Sequence, residues 1–150
     1  MIHKEKLISL LREFKSVSDL EVYQKNNDLK RFSKDFFDYS PILINELQDC
    51  VADLVVRPLS VDAIRVVAQL CNKYSIPLTL RGSGTGNYGQ CVPLNGGVVM
   101  VMSGLRKIRN FDSKSGEITV ESGCLLRDIN DELIKHGRQL RLLPSTWRSA

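Results

Sequence analysis

An α+β fold is predicted for this chain by three features. Residues 52–81 follow a strand–helix–strand pattern, residues 81–90 form a glycine-dense segment with a strand after it, and residues 107–121 hold two short strands around a turn. The first feature makes a βαβ subdomain. The last begins a second, mostly antiparallel β subdomain. With 150 residues, 43% of them hydrophobic and 25% charged, the chain is long enough and apolar enough to bury a real core.

Residues 3–15 read as a surface helix, because Leu7, Leu10, Leu11 and Phe14 recur at helical spacing. Residues 16–50 are polar and read as irregular, anchored by Phe32, Phe36, Phe37 and Tyr39. Residues 1–34 are therefore expected to be a lead-in, and 35–150 the functional domain. The run from Ala52 to Val56, closed by Arg57-Pro58, reads as a buried strand. Ser60 is a good helix N-cap, and Asp62 in the first turn suits the helix dipole. Ala63, Val67, Leu70, Cys71 and Tyr74 share one face of that helix, and Pro77 to Arg81 is the next strand. This unit implies a parallel pair with a right-handed crossover. Val98 to Met102 is a third buried strand. Lys107 to Phe111 and Glu117 to Glu121 flank the turn Asp112 to Gly116. A helix from Leu125 to His136 turns Leu126, Ile129, Leu133 and Ile134 to the core and stops at Gly137. Gln139 to Leu142 reads as a last strand.

Composition excludes several function classes. The net charge of +4 is spread along the chain, with no basic run interleaved with aromatics, so no nucleic-acid partner is expected. Cys50, Cys71, Cys91 and Cys124 form no CxxC pair and have no nearby histidine, so neither a metal site nor a redox pair is expected. They read as reduced thiols of a cytoplasmic protein. No apolar stretch approaches the ~20 residues of a membrane span. Peripheral association with a membrane surface stays open.

The informative stretch is RGSGTGNYGQ, residues 81–90. Glycines at 82, 84, 86 and 89 let the backbone approach a ligand closely, and successive amides in such a turn form a nest for phosphate oxygens. Ser83, Thr85 and Asn87 add side-chain hydrogen-bonding groups. A plain flexible connector is the alternative, although Arg81 and Gln90 frame more glycines than a connector requires. A Walker loop is excluded, since no Gly-Lys pair occurs. Gly84, Gly86 and Gly89 satisfy GxGxxG. A dinucleotide loop of that kind must open a helix, and here Pro93 and Gly96-Gly97 lead into a strand. What remains is a loop between strands that holds a pyrophosphate with its amides.

The stretch PLTLRGSGTGNYGQCVPLNGGVVMVMSGLRKI, residues 77–108, resembles the FAD-binding domain shared by vanillyl-alcohol oxidase and p-cresol methylhydroxylase. It is closest to the branch with D-lactate dehydrogenase and the glycolate oxidase flavin subunit. Val55 to Pro58, Ile118 to Gly123 and Leu143-Pro144-Ser145 match the same family in order, so the resemblance spans residues 35–150. It implies that the amides of Gly82, Ser83, Gly84, Thr85 and Gly86, next to Arg81, hold the FAD pyrophosphate. Asn87, Tyr88 and Gln90 would line the same groove, Pro58 would lie near the adenine, and Pro144 with Ser145 near the cofactor's other flank. For Tyr88, packing of the loop is an equal reading. Gln90 has a second one, a hydrogen bond to the backbone.

Some relatives attach the flavin to a histidine at the position of Thr85. Thr85 cannot form that bond, so the FAD is expected not to be bonded to any residue of this segment. Cys91 is expected to be no substitute, with nothing nearby to lower its pKa. By the resemblance, the chain stops in the middle of the FAD domain and is expected to be inactive alone. No catalytic acid or base can be assigned. The implied function is FAD binding within an oxidoreductase that takes a hydride equivalent from a small 2-hydroxy acid such as lactate or glycolate. The alternatives are a degenerate phosphate- or nucleotide-binding module without redox activity, and a purely structural α/β domain.

Overall fold

A computed structural model describes residues 4–150. A four-stranded sheet organises the first two thirds of the chain, in the order β1-β2-β4-β3. Its strands are β1 (Leu20–Tyr23), β2 (Leu54–Pro58), β3 (Leu78–Arg81) and β4 (Val98–Val101). Strand β4 is central, and all four of its residues are buried. Such a strand is covered on both faces, which explains its continuous run of Val and Met where an amphipathic strand would alternate. Leu54, Val56, Val98 and Met100 pack under the helices α1 (Lys4–Lys15) and α4 (Val61–Tyr74). Val55, Val99 and Val101 form a smaller cluster on the other face, with Tyr23, Leu29 and Phe32 packed against it.

The βαβ unit is present as β2-α4-β3. The sequence reading expected its two strands to pair with each other, and they do not. Both lie parallel to β4, which sits between them, with Leu54 and Leu78 each opposite Val98. Helix α4 starts as predicted: the Ala63 N–H donates to Ser60 Oγ at 3.1 Å. Its C-terminal cap is Ser75, a left-handed residue with φ 53°.

The largest correction concerns residues before Ala52. The expected start of the first helix at residue 3 lies outside the described residues. The helix that follows is a core element, since Leu10 and Phe14 are 0% exposed. The stretch expected to be irregular contains β1, α2 (Asn26–Phe32), a 3-10 turn at Phe37–Tyr39 and α3 (Pro41–Leu47). Strand β1 pairs antiparallel with β2 and places Glu21 opposite Arg57. Arg57 donates to both Glu21 oxygens, at 2.8 and 2.6 Å. The sheet thus runs across the expected division at residue 34. Four residues, Leu20-Glu21-Val22-Tyr23, carry too short an alternation to reveal a strand whose partner is more than thirty residues away.

The second region begins after a 3-10 turn at Met102–Gly104. Strands β5 (Ile108–Phe111) and β6 (Ile118–Val120) form an antiparallel hairpin, irregular between Ile108 and Asn110. The helix α5 (Leu126–Lys135) buries Ile129, Asn130 and Leu133. Ile134, expected in the core, is 57% exposed. Its place is taken by Asn130, whose Oδ1 accepts from Leu140 N–H at 3.0 Å. That contact folds residues 139–142 back as an irregular segment, so the expected last strand does not form, and Leu142 stays in solvent.

Candidate cofactor site

Strands β2, β3 and β4 run in the same direction, so their C-terminal ends lie together at one edge of the sheet. Ligands of open parallel sheets are held at that edge. Because β3 and β4 are parallel, the chain must travel back along the sheet between them. Residues 82–97 make this crossover without a helix. Its second half is anchored by buried Cys91, Val92 and Pro93, and its first half stays near the surface. Glycine density is thus the consequence of a long crossover that must also leave its backbone open.

Among the described residues, none of the N–H groups of Ser83, Gly84, Thr85, Gly86 and Asn87 donates to another protein group. Five successive free donors, partly exposed, form the donor set that a diphosphate requires. A cleft of roughly 180 Å³ opens beside them, lined by Gly82, Ser83 and Thr85 on one side and by Ser103, Ser122, Gly123 and Cys124 on the other. The adjoining space is lined by Arg31, Arg81, Arg106 and Arg148. Among the described residues, no aspartate or glutamate lines either space. A cleft with free amides, hydroxyls and guanidinium groups fits an anion.

Two glycines outside the loop let the far wall approach. A Cβ on Gly104 would run into the Pro58 carbonyl, and one on Gly123 into the carbonyl of Met102. The Gly123 N–H donates to Leu105 O at 2.8 Å, which locks this wall to the turn after β4. From the sequence Ser103 and Arg106 read as turn and surface residues, and Ser122 and Gly123 only as part of the family resemblance, with no site role. The available signal was the pair of Ser-Gly steps at 103–104 and 122–123.

The predicted site residues divide. Gly82, Ser83 and Thr85 line the cleft, with Arg81 in the adjoining space. Pro58 is buried behind Gly104 and lines neither space. Asn87 and Tyr88 point outward, Tyr88 with 75% exposure. Gln90 braces the loop from within, its Oε1 accepting from Tyr88 N–H at 3.2 Å, which is the second of its two readings. Pro144 and Ser145 lie in an exposed turn, and the residues that reach the cleft from that segment are Arg148, Ser149 and Ala150.

Cys91 has a neighbour that the sequence did not reveal, with Arg81 Nη1 at 3.2 Å from its sulfur. Burial still raises the thiol pKa, outweighing the lowering effect of that guanidinium. The cysteine is not activated, for a different reason from the one expected. A larger cavity, about 460 Å³, lies between α2 and α3 among Lys30, Lys34, Phe37, Leu47 and Cys50, and holds none of the predicted site residues.

A crossover loop with free amides at the carboxyl edge of a parallel sheet defines a diphosphate-holding domain. Residues 52–150 match the family model described as "FAD binding domain", and the chain belongs to that family. It is 32% identical over 85 residues to the D-lactate dehydrogenase of Anaerostipes hadrus, covering 57% of this chain and 18% of that protein. It is 30% identical over 77 residues to the glycolate oxidase subunit GlcD of Bacillus subtilis, covering 51% of this chain and 16% of that one. The fold also matches two solved structures. 4-Ethylphenol oxidase from Gulosibacter chungangensis gives a TM-score of 0.80 at 21% identity, and p-cresol methylhydroxylase 0.77 at 18%. Each match covers 99% of this chain and 28% of the other. The chain therefore spans less than a third of these relatives. The cofactor of the family is FAD, and the free amides of residues 83–87 fit its diphosphate.

Proposed function

We propose that this chain holds the diphosphate of FAD in an FAD-linked oxidoreductase whose substrate is a small 2-hydroxy acid. The observation that carries the binding role is the run of five free N–H groups beside a cleft without carboxylate side chains. Bound there, FAD supplies an acceptor for a hydride equivalent. The chain's own contribution is positional. Amides of residues 83–87 grip the diphosphate, Ser103 and Ser122 offer hydroxyls from the far wall, and Arg31 and Arg106 lower the cost of bringing in two negative charges. The substrate class rests on names. The relatives are a D-lactate dehydrogenase, a glycolate oxidase subunit and, at 26% identity over 82 residues, the D-2-hydroxyglutarate dehydrogenase of Danio rerio. Each named substrate is a 2-hydroxy acid.

The test is optical. Full-length protein containing this segment, loaded with FAD, is mixed anaerobically with D-lactate, glycolate and D-2-hydroxyglutarate, and flavin absorbance is followed. Bleaching by one of them supports the reading, and binding without bleaching by any sends the substrate class back to open. Attachment is tested on the same sample. With Thr85 in place of histidine, no peptide from residues 77–108 of the denatured and digested holoprotein should carry flavin mass.

A further inference from the structure

Arg81 is the one arginine at the cleft that is removed from solvent, at 9% exposure. Its guanidinium has five donors in a fixed plane. They are directed into the protein. Nη1 donates to Lys34 O at 2.5 Å and to Phe32 O at 3.4 Å, and lies 3.2 Å from Cys91 Sγ. Nη2 donates to Ser83 O at 3.4 Å, and the cation sits 5.8 Å from the Phe32 ring centroid. The group passes directly over Gly84, where any Cβ would overlap it; Gly84 has φ 73°. One side chain thereby ties the start of the loop to the segment after α2. A second tie lies further on, where the Phe36 N–H donates to Gly86 O at 2.8 Å. Between these two ties sits Asp35, 4% exposed. Its Oδ1 accepts from Phe37 N–H at 3.0 Å, while its Oδ2 is buried without a partner. Asp35 and Arg81 both act electrostatically on the Cys91 thiol, so the buried cation has a buried anion in the same region. An ion taken out of water needs such a counter-charge.

We propose that the segment Phe32–Phe36, which precedes the part of the chain matched to the family, sets the shape of the diphosphate loop. In this arrangement Arg81 is a positioning residue and not a phosphate ligand. The proposal rests on the reading of residues 82–87 as the FAD loop. It explains why those amides stay free: the loop is held through its carbonyls, at Ser83 and Gly86, by donors from outside it. A loop so held keeps its N–H groups for a ligand and loses less freedom when the ligand arrives.

Two measurements test it. Backbone 15N order parameters are measured in the purified protein stripped of FAD, because amides without hydrogen-bond partners exchange too fast for hydrogen exchange to read. Arg81→Lys keeps the charge but cannot reach two carbonyls and Ser83 at once. It should lower the order parameters of residues 82–90 from the rigid range, about 0.85, to below about 0.6. Those of β4 and α4 should stay as in wild type. Unchanged loop order parameters would overturn the proposal. Should Arg81→Lys loosen the whole sheet, Phe36→Pro decides, because it removes the donor to Gly86 O together with the half-exposed Phe36 ring and leaves every buried charge in place. Loop-only loosening supports the proposal, and an unaltered loop overturns it. FAD titration of Arg81→Gln then separates positioning from phosphate contact. A positioning residue weakens binding by the same factor at about 0.05 M and about 0.5 M salt, whereas a lost phosphate contact gives a factor that shrinks as salt screens it. The shrinking factor would overturn the proposal. A wild-type protein that takes up no FAD would overturn the cofactor reading instead, and the order parameters alone would then judge the latch.

Discussion

The two walls of the cleft are built differently. One is the four-stranded sheet, whose central strand is buried on both faces and packed by helices from either side. The other is the β5–β6 hairpin with α5, whose strands have no fully buried residue. The first wall is held by side-chain volume. The second is joined to it mainly through backbone contacts at Gly104 and Gly123. The cleft therefore has one rigid side, which carries the diphosphate loop, and one side whose position depends on two close backbone approaches.

Truncation should expose this contrast most strongly. Phe14→Ala empties a fully buried position between α1 and α4, and should lower unfolding free energy in urea by about 3–5 kcal/mol. Ile134→Ala, on the exposed side of α5, should change it by no more than about 0.5 kcal/mol. Equal losses would break the comparison.

A smaller effect is expected where the two walls meet. Gly104→Ala forces a methyl group against the Pro58 carbonyl and should cost about 1–3 kcal/mol, as overpacking does. It should also weaken FAD binding by moving Ser103. Gly123→Ala should do the same from the other side. Unaltered melting in both variants would show that this contact has more room than the structure gives it.

The loop itself should respond in binding more than in folding. Gly84→Val places a β-branched residue at φ 73° and displaces the Arg81 guanidinium. FAD affinity should fall by at least about tenfold, roughly 1.4 kcal/mol. Normal flavin content in a folded variant would remove this loop from the site.

The smallest expected effect lies at the sheet edge. Hydrogen bonds from Arg57 and Tyr23 hold the Glu21 carboxyl below its ordinary range, against partial desolvation. A depressed folded-state pKa gives stabilisation that is present above the unfolded carboxylate range and is lost as pH falls through the folded value. Chemical denaturation at about pH 7 and about pH 3 should thus show a larger acid loss in wild type than in Glu21→Gln. Since the Glu21 side chain is over a third exposed, the difference should stay below about 1 kcal/mol. A Glu21→Gln variant with the wild-type pH response would show that this edge pair adds nothing.

Much of this molecule was legible in its sequence, because the deciding signals were local. The spacing of Ala63, Val67, Leu70 and Cys71 gave α4, the Ser60 cap gave its start, and the Val98–Met100 run marked a strand covered on both sides. The glycines of residues 82–89, followed by a strand and not by a helix, were enough to place an open crossover loop between two strands. What only the tertiary structure decided depends on groups far apart in the chain. Strand β4 enters between β2 and β3 because pairing is settled by burial across the whole sheet, which no single segment encodes. Strand β1 exists because Glu21 and Leu20 meet Arg57 and Pro58, and α1 belongs to the core because α4 offers it a face. The resemblance placed Arg81 beside the FAD diphosphate. The direction of its guanidinium is set by carbonyls at Phe32 and Lys34, nearly fifty residues away, and by the missing side chain at Gly84. Hydrogen-bond partners of that kind leave no periodic trace in a sequence, because a backbone carbonyl is the same whatever residue carries it.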